Sequence, residues 1–165
     1  MPKLSAGIML YREQSKGIEL FLVHPGGPFW AKKDAGAWSI AKGEYQPDDD
    51  ALAAAKREFF EETGTQVPAG PEVELGMVKY SNKELTAWAV KGSVDARRIH
   101  SNTFTMEWPP RTGRKQDFPE VDRAGWFDTS TAMQKLVPGQ VPLVERLIAQ
   151  LQLDMPAIPE QTTLL

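Results

Sequence analysis

The segment GEYQPDDDALAAAKREFFEETGT, residues 43–65, constrains this chain more than any other stretch. Pro47 and the run Asp48, Asp49, Asp50 make a helix start, because aspartate side chains cap free N–H groups and suit the positive end of the helix dipole. Gly64, directly after Thr63, makes a stop, so the spacing predicts a helix over about 49–63. At about 100° per residue, Leu52, Ala55 and Phe59 share one side, while Glu58, Glu61 and Glu62 cover an arc of roughly 100° away from it. Such a helix has a core face and a carboxylate face. Like charges one turn apart cost a few tenths of a kcal/mol in full solvent, but roughly 3 kcal/mol at about 5.5 Å and an effective dielectric near 20. On an open surface the cluster is an ordinary solvated acidic face. In a cleft it calls for a cation.

Short apolar runs surround this helix. Residues 3–12 and 19–24 flank the polar turn EQSKG and read as a strand pair; 25–37 is a Gly/Pro-rich loop; WSIA (38–41) reads as a short strand leading into the helix. Beyond it, 73–80 and 85–92 flank the turn SNKE as a hairpin. In TFTMEW (103–108), Phe104, Met106 and Trp108 alternate with polar residues, which predicts a strand with one polar face. Residues 109–120 form a long loop carrying Arg111, Arg114 and Lys115, and 121–128 a further strand. Leu143, Leu147 and Leu151 give 141–153 helical spacing. Strands on both sides of a central helix, plus a C-terminal helix, imply an α/β sandwich on a mixed sheet, with one domain over 1–153 and a flexible tail over 154–165.

Composition narrows the chemistry. The chain has 165 residues, enough to bury a core as one domain. A net charge of −3 argues against general affinity for nucleic-acid backbones. With no cysteine, thiolate nucleophiles, disulfides and cysteine-ligated metals are excluded. No apolar window reaches the length of a membrane span, and the N-terminal run is too short for a signal sequence. A cytoplasmic location is the default expectation.

Gly43, Arg57, Glu58, Glu61, Glu62 and Gly64 stand in a fixed frame that resembles the signature of the Nudix hydrolases, G-x5-E-x7-R-E-U-x-E-E-x-G-U, where U is a bulky apolar residue. Six such matches arise by chance in a chain of this length with a frequency on the order of 10⁻⁵, which favours a functional reading over a solvated acidic face. Two positions depart: Asp49 stands in place of the first Glu, and Thr65 in place of the last apolar residue. The resemblance implies an α/β/α sandwich and a Mg²⁺- or Mn²⁺-dependent enzyme that cleaves a nucleoside diphosphate linked to another group, by water attack at phosphorus. It implies metal ligation by Glu58, Glu61, Glu62 and a backbone carbonyl around Gly43, with Arg57 orienting the glutamates. Hard divalent ions do prefer such oxygen donors.

The general base is open between Glu120, at the end of the basic loop, and Glu62, with Glu107 a third choice. Arg111, Arg114 and Lys115 are candidate phosphate contacts, and Phe29 and Trp30 candidate stacking partners for a base, although core packing of at least one of these two is expected. Trp88, Trp108 and Trp126 read as core, and His24 and His100 as structural or surface residues. The substrate is expected to be a nucleotide-type small molecule; the cluster of three basic groups favours a dinucleoside polyphosphate. Competing readings are a non-catalytic Nudix-like domain that senses nucleotides or binds a partner, and an isomerase on the same scaffold, which commonly needs a cysteine. Some family members are homodimers, and the sequence is compatible with one.

Overall fold

β1 (Lys3–Gln14) is the axis of the structure, a computed structural model that describes residues 2–151. Residues 152–153 of the expected C-terminal helix and the tail at 154–165 lie outside the described residues. Positions 5–11 of β1 are all buried. Ala6, Ile8 and Leu10 pack into one core cluster, and Met9 and Tyr11 into another, as a strand must when both faces of its sheet are covered.

One edge of β1 pairs in parallel with β5 (Lys83–Lys91), Lys3 opposite Lys83 through Tyr11 opposite Lys91. The other edge is divided. β3 (Ala41–Glu44) takes the first half, with Ile8 opposite Ala41, and β2 (Gly17–Pro25) takes the second, with Tyr11 opposite Leu20. β4 (Glu72–Tyr80) extends the sheet beyond β5, and β8 (Val121–Asp128) extends it beyond β2. The result is a six-stranded mixed sheet.

α1 (Ala51–Thr63) covers one face of this sheet through Ala54, Ala55 and Phe59, which join Phe21 and Val23 in one core cluster. Phe59 meets Phe21 at 5.9 Å between ring centroids, and Phe21 meets Trp126 edge-on at 5.4 Å. α2 (Thr129–Lys135) and α3 (Val141–Gln150) cover the other face, where Ala132, Leu143 and Leu147 pack with Trp38 and Leu22. The expected α/β/α sandwich is present.

Local chemistry sets the boundaries of α1. Asp50 is the N-cap, its Oδ2 accepting from the Ala53 N–H at 2.8 Å, so the helix starts two residues later than the sequence predicts. Gly64 ends it in the left-handed conformation at φ 76°, its N–H bonded to the Phe60 carbonyl.

Four expectations are corrected. WSIA is not a strand: Ser39 forms an isolated bridge with Val23 and Trp38 one with Leu136, and the strand proper begins at Ala41. The loop at 109–120 is half a hairpin, because β7 (Lys115–Pro119) pairs with β6 (Thr103–Glu107) as a separate two-stranded sheet. α2 was not foreseen; it is short and owes its start to Asp128, whose Oδ1 accepts from the Thr131 N–H at 2.7 Å. Trp88 and Trp126 pack against the core, but Trp108 lies outside both clusters, edge-on to the exposed ring of Phe29 at 5.5 Å.

Candidate active site

The carboxylate face of α1 lies beside β3. Glu58 reaches the Cα of Gly43 so closely that a Cβ at position 43 would collide with its carboxylate, at Oε1, Cδ and Cγ alike. Glycine here is a space requirement of the glutamate. Arg57 binds Glu58 Oε2 through Nη2 at 3.2 Å and pairs with Glu61 Oε2 through Nε at 3.6 Å. Glu62 Oε1 accepts from the backbone N–H of Lys42 at 3.2 Å.

Glu120 reaches this face through a chain of backbone bonds. The Asn102 N–H donates to the carbonyl of Glu61, the Glu120 N–H to the carbonyl of Asn102, and the Gly26 N–H to the carbonyl of Glu120, at 2.8, 2.8 and 2.9 Å. The end of α1 is thereby tied to the bend between β7 and β8 that carries the candidate base. Glu62, Glu120 and Lys42 then line one cavity of about 300 Å³, together with Trp30, Tyr80 and Lys83.

Electrostatics mark the same residues. Burial pushes the Glu62 carboxyl from 4.5 up to about 8; Glu58 and Glu120 push further in that direction, and Lys42 opposes them. Burial raises Glu58 as well, with Glu61 adding and Arg57 opposing. Burial also raises Glu120, helped by Glu58 and Glu61. Mutually repelling carboxylates in a partly desolvated cleft are what a cation relieves.

Among the described residues, no three acidic or histidine side chains converge tightly enough to hold an ion as they stand. The donor set nonetheless fits a hard cation. Mg²⁺ needs only one or two carboxylates, since it retains waters and shares phosphate oxygens, and the lack of a side chain at Gly43 leaves Glu58 room against the β3 backbone.

A folded-state pKa of about 8 at Glu62, above the ordinary 4.5, means the folded protein keeps a proton that the unfolded chain has lost. Stability contributed by this group is therefore present below about 4.5 and is lost as pH rises toward about 8. Calorimetry of the metal-free protein should show the melting temperature falling from pH 6 to pH 8, a fall that Mg²⁺ reverses and that Glu62→Gln flattens. A melting temperature independent of pH and Mg²⁺ in this window would contradict the site.

The other sequence candidates separate into two groups. Trp30, 39% exposed with Lys33 Nζ 4.9 Å from its ring centroid, lines the cavity. Neither it nor Phe29 packs in the core, which corrects that expectation. Arg111, Arg114 and Lys115 are exposed at the far end of the β6–β7 hairpin and line no cavity beside the carboxylates among the described residues. Glu107 belongs to the same hairpin, accepting from the Gly113 N–H at 2.7 Å.

Asp49 is engaged in the turn before α1, where its Oδ2 accepts from the Gln46 N–H at 3.1 Å. Thr65 is exposed, and its N–H donates to Thr63 Oγ1. His24 is fully buried, with its ring nitrogens against Asp122 Oδ1 at 2.8 Å and the Lys33 carbonyl at 2.6 Å, while His100 is exposed.

Lys42, Tyr80 and Lys83 were missed by sequence reasoning. Lys42 directly precedes Gly43, a position from which a strand residue reaches a carboxylate on the following helix. Tyr80 and Lys83 flank a tight hairpin turn and gave no signal of their own.

A model of the NUDIX domain matches residues 1–147 of the chain. The RNA pyrophosphohydrolase of Rhodospirillum rubrum is 27% identical over 160 residues, covering 91% of this chain and 92% of the relative. Among solved structures, a binary complex of the Caenorhabditis elegans Ap4A hydrolase superposes with a TM-score of 0.61 at 19% identity, covering 91% of this chain and 98% of the other. The NUDIX domain of Shewanella oneidensis NrtR complexed with ADP ribose superposes with a TM-score of 0.60 at 15% identity, covering 92% and 89%. These two likenesses are likenesses of fold.

Proposed function

The chain belongs to the Nudix hydrolase family, and on that premise we propose that it is a Mg²⁺-dependent pyrophosphohydrolase that cleaves a nucleoside diphosphate-linked substrate, favouring dinucleoside polyphosphates. The observation that carries this reading is that Glu62 and Glu120 line one cavity while Glu58 and Glu61 stand close enough to couple to them electrostatically, with the carboxyls of Glu58, Glu62 and Glu120 all raised.

Glu58, Glu61 and Glu62, with a backbone carbonyl at Gly43, would hold the ion. Bound there, Mg²⁺ supplies a polarised water and neutralises charge on the phosphate oxygens. Arg57 fixes the direction of Glu58 and Glu61 through its two ion pairs. Lys42 and Lys83 bring positive charge to the cavity and meet the phosphate chain, and Tyr80 offers a ring to a base. Glu120, tied by its backbone and with no side-chain hydrogen bond among the described residues, takes the proton from the attacking water, while Glu62 Oε1 already accepts from the Lys42 backbone N–H. Arg111, Arg114 and Lys115 contact an extended phosphate chain only where it leaves the cavity.

The similarity to an RNA pyrophosphohydrolase and to the fold of an Ap4A hydrolase supports phosphoanhydride chemistry. The test is product release from diadenosine polyphosphates, ADP-ribose, sugar nucleotides and nucleoside triphosphates in ¹⁸O-labelled water. One class should turn over with the label in a phosphate product, and Glu120→Gln should slow it and remove a limb of its pH profile. No turnover of any class, with nucleotide still bound, would move the assignment to a nucleotide sensor.

A further inference from the structure

A second cavity, of about 430 Å³, adjoins the first and shares Pro25, Trp30 and Glu120 with it. Its walls are Phe29 and Trp30 on the 25–30 loop and Phe104 and Met106 on the β6–β7 hairpin. These rings are held in place. Phe29 stands edge-on to Trp108 at 5.5 Å, and Phe104 packs on Phe118 at 5.9 Å. The loop approaches the hairpin so closely that a Cβ on Gly27 would stand 2.9 Å from the Phe104 ring. Phe29 is nevertheless 60% exposed, a costly position for a large apolar ring without a partner.

Charge divides the two cavities. Lys42 and Lys83 line the first, whereas Glu120 is the one charged side chain lining the second among the described residues. A phosphate chain belongs with the lysines, and the second cavity suits an uncharged flat ring. A ligand lying across Glu120 would thus carry an aromatic group at each end, one toward Tyr80 and one toward Phe29, with phosphates between.

We propose that the groove between the 25–30 loop and the β6–β7 hairpin is a subsite for the second nucleobase of a dinucleoside polyphosphate, stacked by Phe29 and Phe104. This rests on the pyrophosphohydrolase reading and extends it to the leaving half of the substrate.

The test compares a methylene-bridged analogue of diadenosine tetraphosphate with a methylene-bridged analogue of adenosine triphosphate, which has one base and the same charge when fully ionised, each titrated calorimetrically with Mg²⁺. Phe29→Ala should weaken the two-base ligand about ten-fold, the usual scale for one base stacked on an aromatic ring, and leave the one-base ligand within about two-fold. Met106→Trp, which fills the groove without emptying it, should show the same selectivity. Equal losses for both ligands, or none for either, would overturn the subsite. If the variants show this selectivity yet wild-type protein hydrolyses none of the nucleotide classes tried, the subsite stands and the hydrolase reading falls. If it hydrolyses both parents and the variants do not discriminate, only the subsite falls.

Discussion

Glu61→Gln is expected to lower turnover by about 10²-fold or more at saturating Mg²⁺, with the fold unchanged. The substitution keeps shape and removes charge from one corner of the carboxylate cluster, and loss of one electrostatic contributor at a reacting centre commonly costs 10²–10³. The structure gives reasons to expect little else. The Glu61 side chain is 34% exposed and, among the described residues, pairs only with a half-exposed Arg57 at 3.6 Å, and such pairs contribute about 0–1 kcal/mol. Its backbone carbonyl, which starts the chain of bonds to Glu120, is untouched. Circular dichroism and the melting temperature should match wild type while kcat falls. Near-wild-type turnover would remove Glu61 from the site.

Gly43→Ala should have an effect of similar size, about 10²-fold on kcat, although it adds one methyl group and changes no charge. The new Cβ would run into the Glu58 side chain from Cγ to Oε1 and force it to swing away, while the neighbours of Gly43 in β3 remain paired with β1. The cost falls on placement of the carboxylate, and misplacement by about 1 Å is enough for a loss of this order. Circular dichroism should stay native while kcat drops and the Mg²⁺ concentration for half-maximal activity rises. An active Gly43→Ala protein with unchanged Mg²⁺ dependence would show that Glu58 does not need its observed position.

Much of this architecture was legible because it depends on local rules. The alternation that buries Ala6, Ile8 and Leu10 on one face and Met9 and Tyr11 on the other is written in the strand period. The helix stop at Gly64 follows from backbone sterics, and the carboxylate face of α1 from its 3.6-residue repeat. What was not legible depends on pairing at a distance. β7 has a polar, exposed sequence that reads as loop, and only its register with β6 makes it a strand. WSIA reads as a strand but forms only single bridges on each side. Arg111, Arg114 and Lys115 cluster in sequence, yet the hairpin carries them to its exposed end, while Lys42 and Lys83, 41 residues apart in number, meet in one cavity. Phe29 and Trp30 were assigned partly to the core by their apolarity, but a loop built of Gly and Pro has no face to bury them with.

The central claim is that the acidic face of α1 works as a cation site in phosphoanhydride hydrolysis. The most direct measurement is the rate of phosphate release from diadenosine tetraphosphate by chelated protein as Mg²⁺ is restored, run for wild type and Glu61→Gln together. The account predicts no turnover in chelator, saturable activation of wild type by Mg²⁺, and a variant that stays at least about 10²-fold slower at every concentration. Turnover that persists in chelator, or a variant that Mg²⁺ activates as it does wild type, would contradict it.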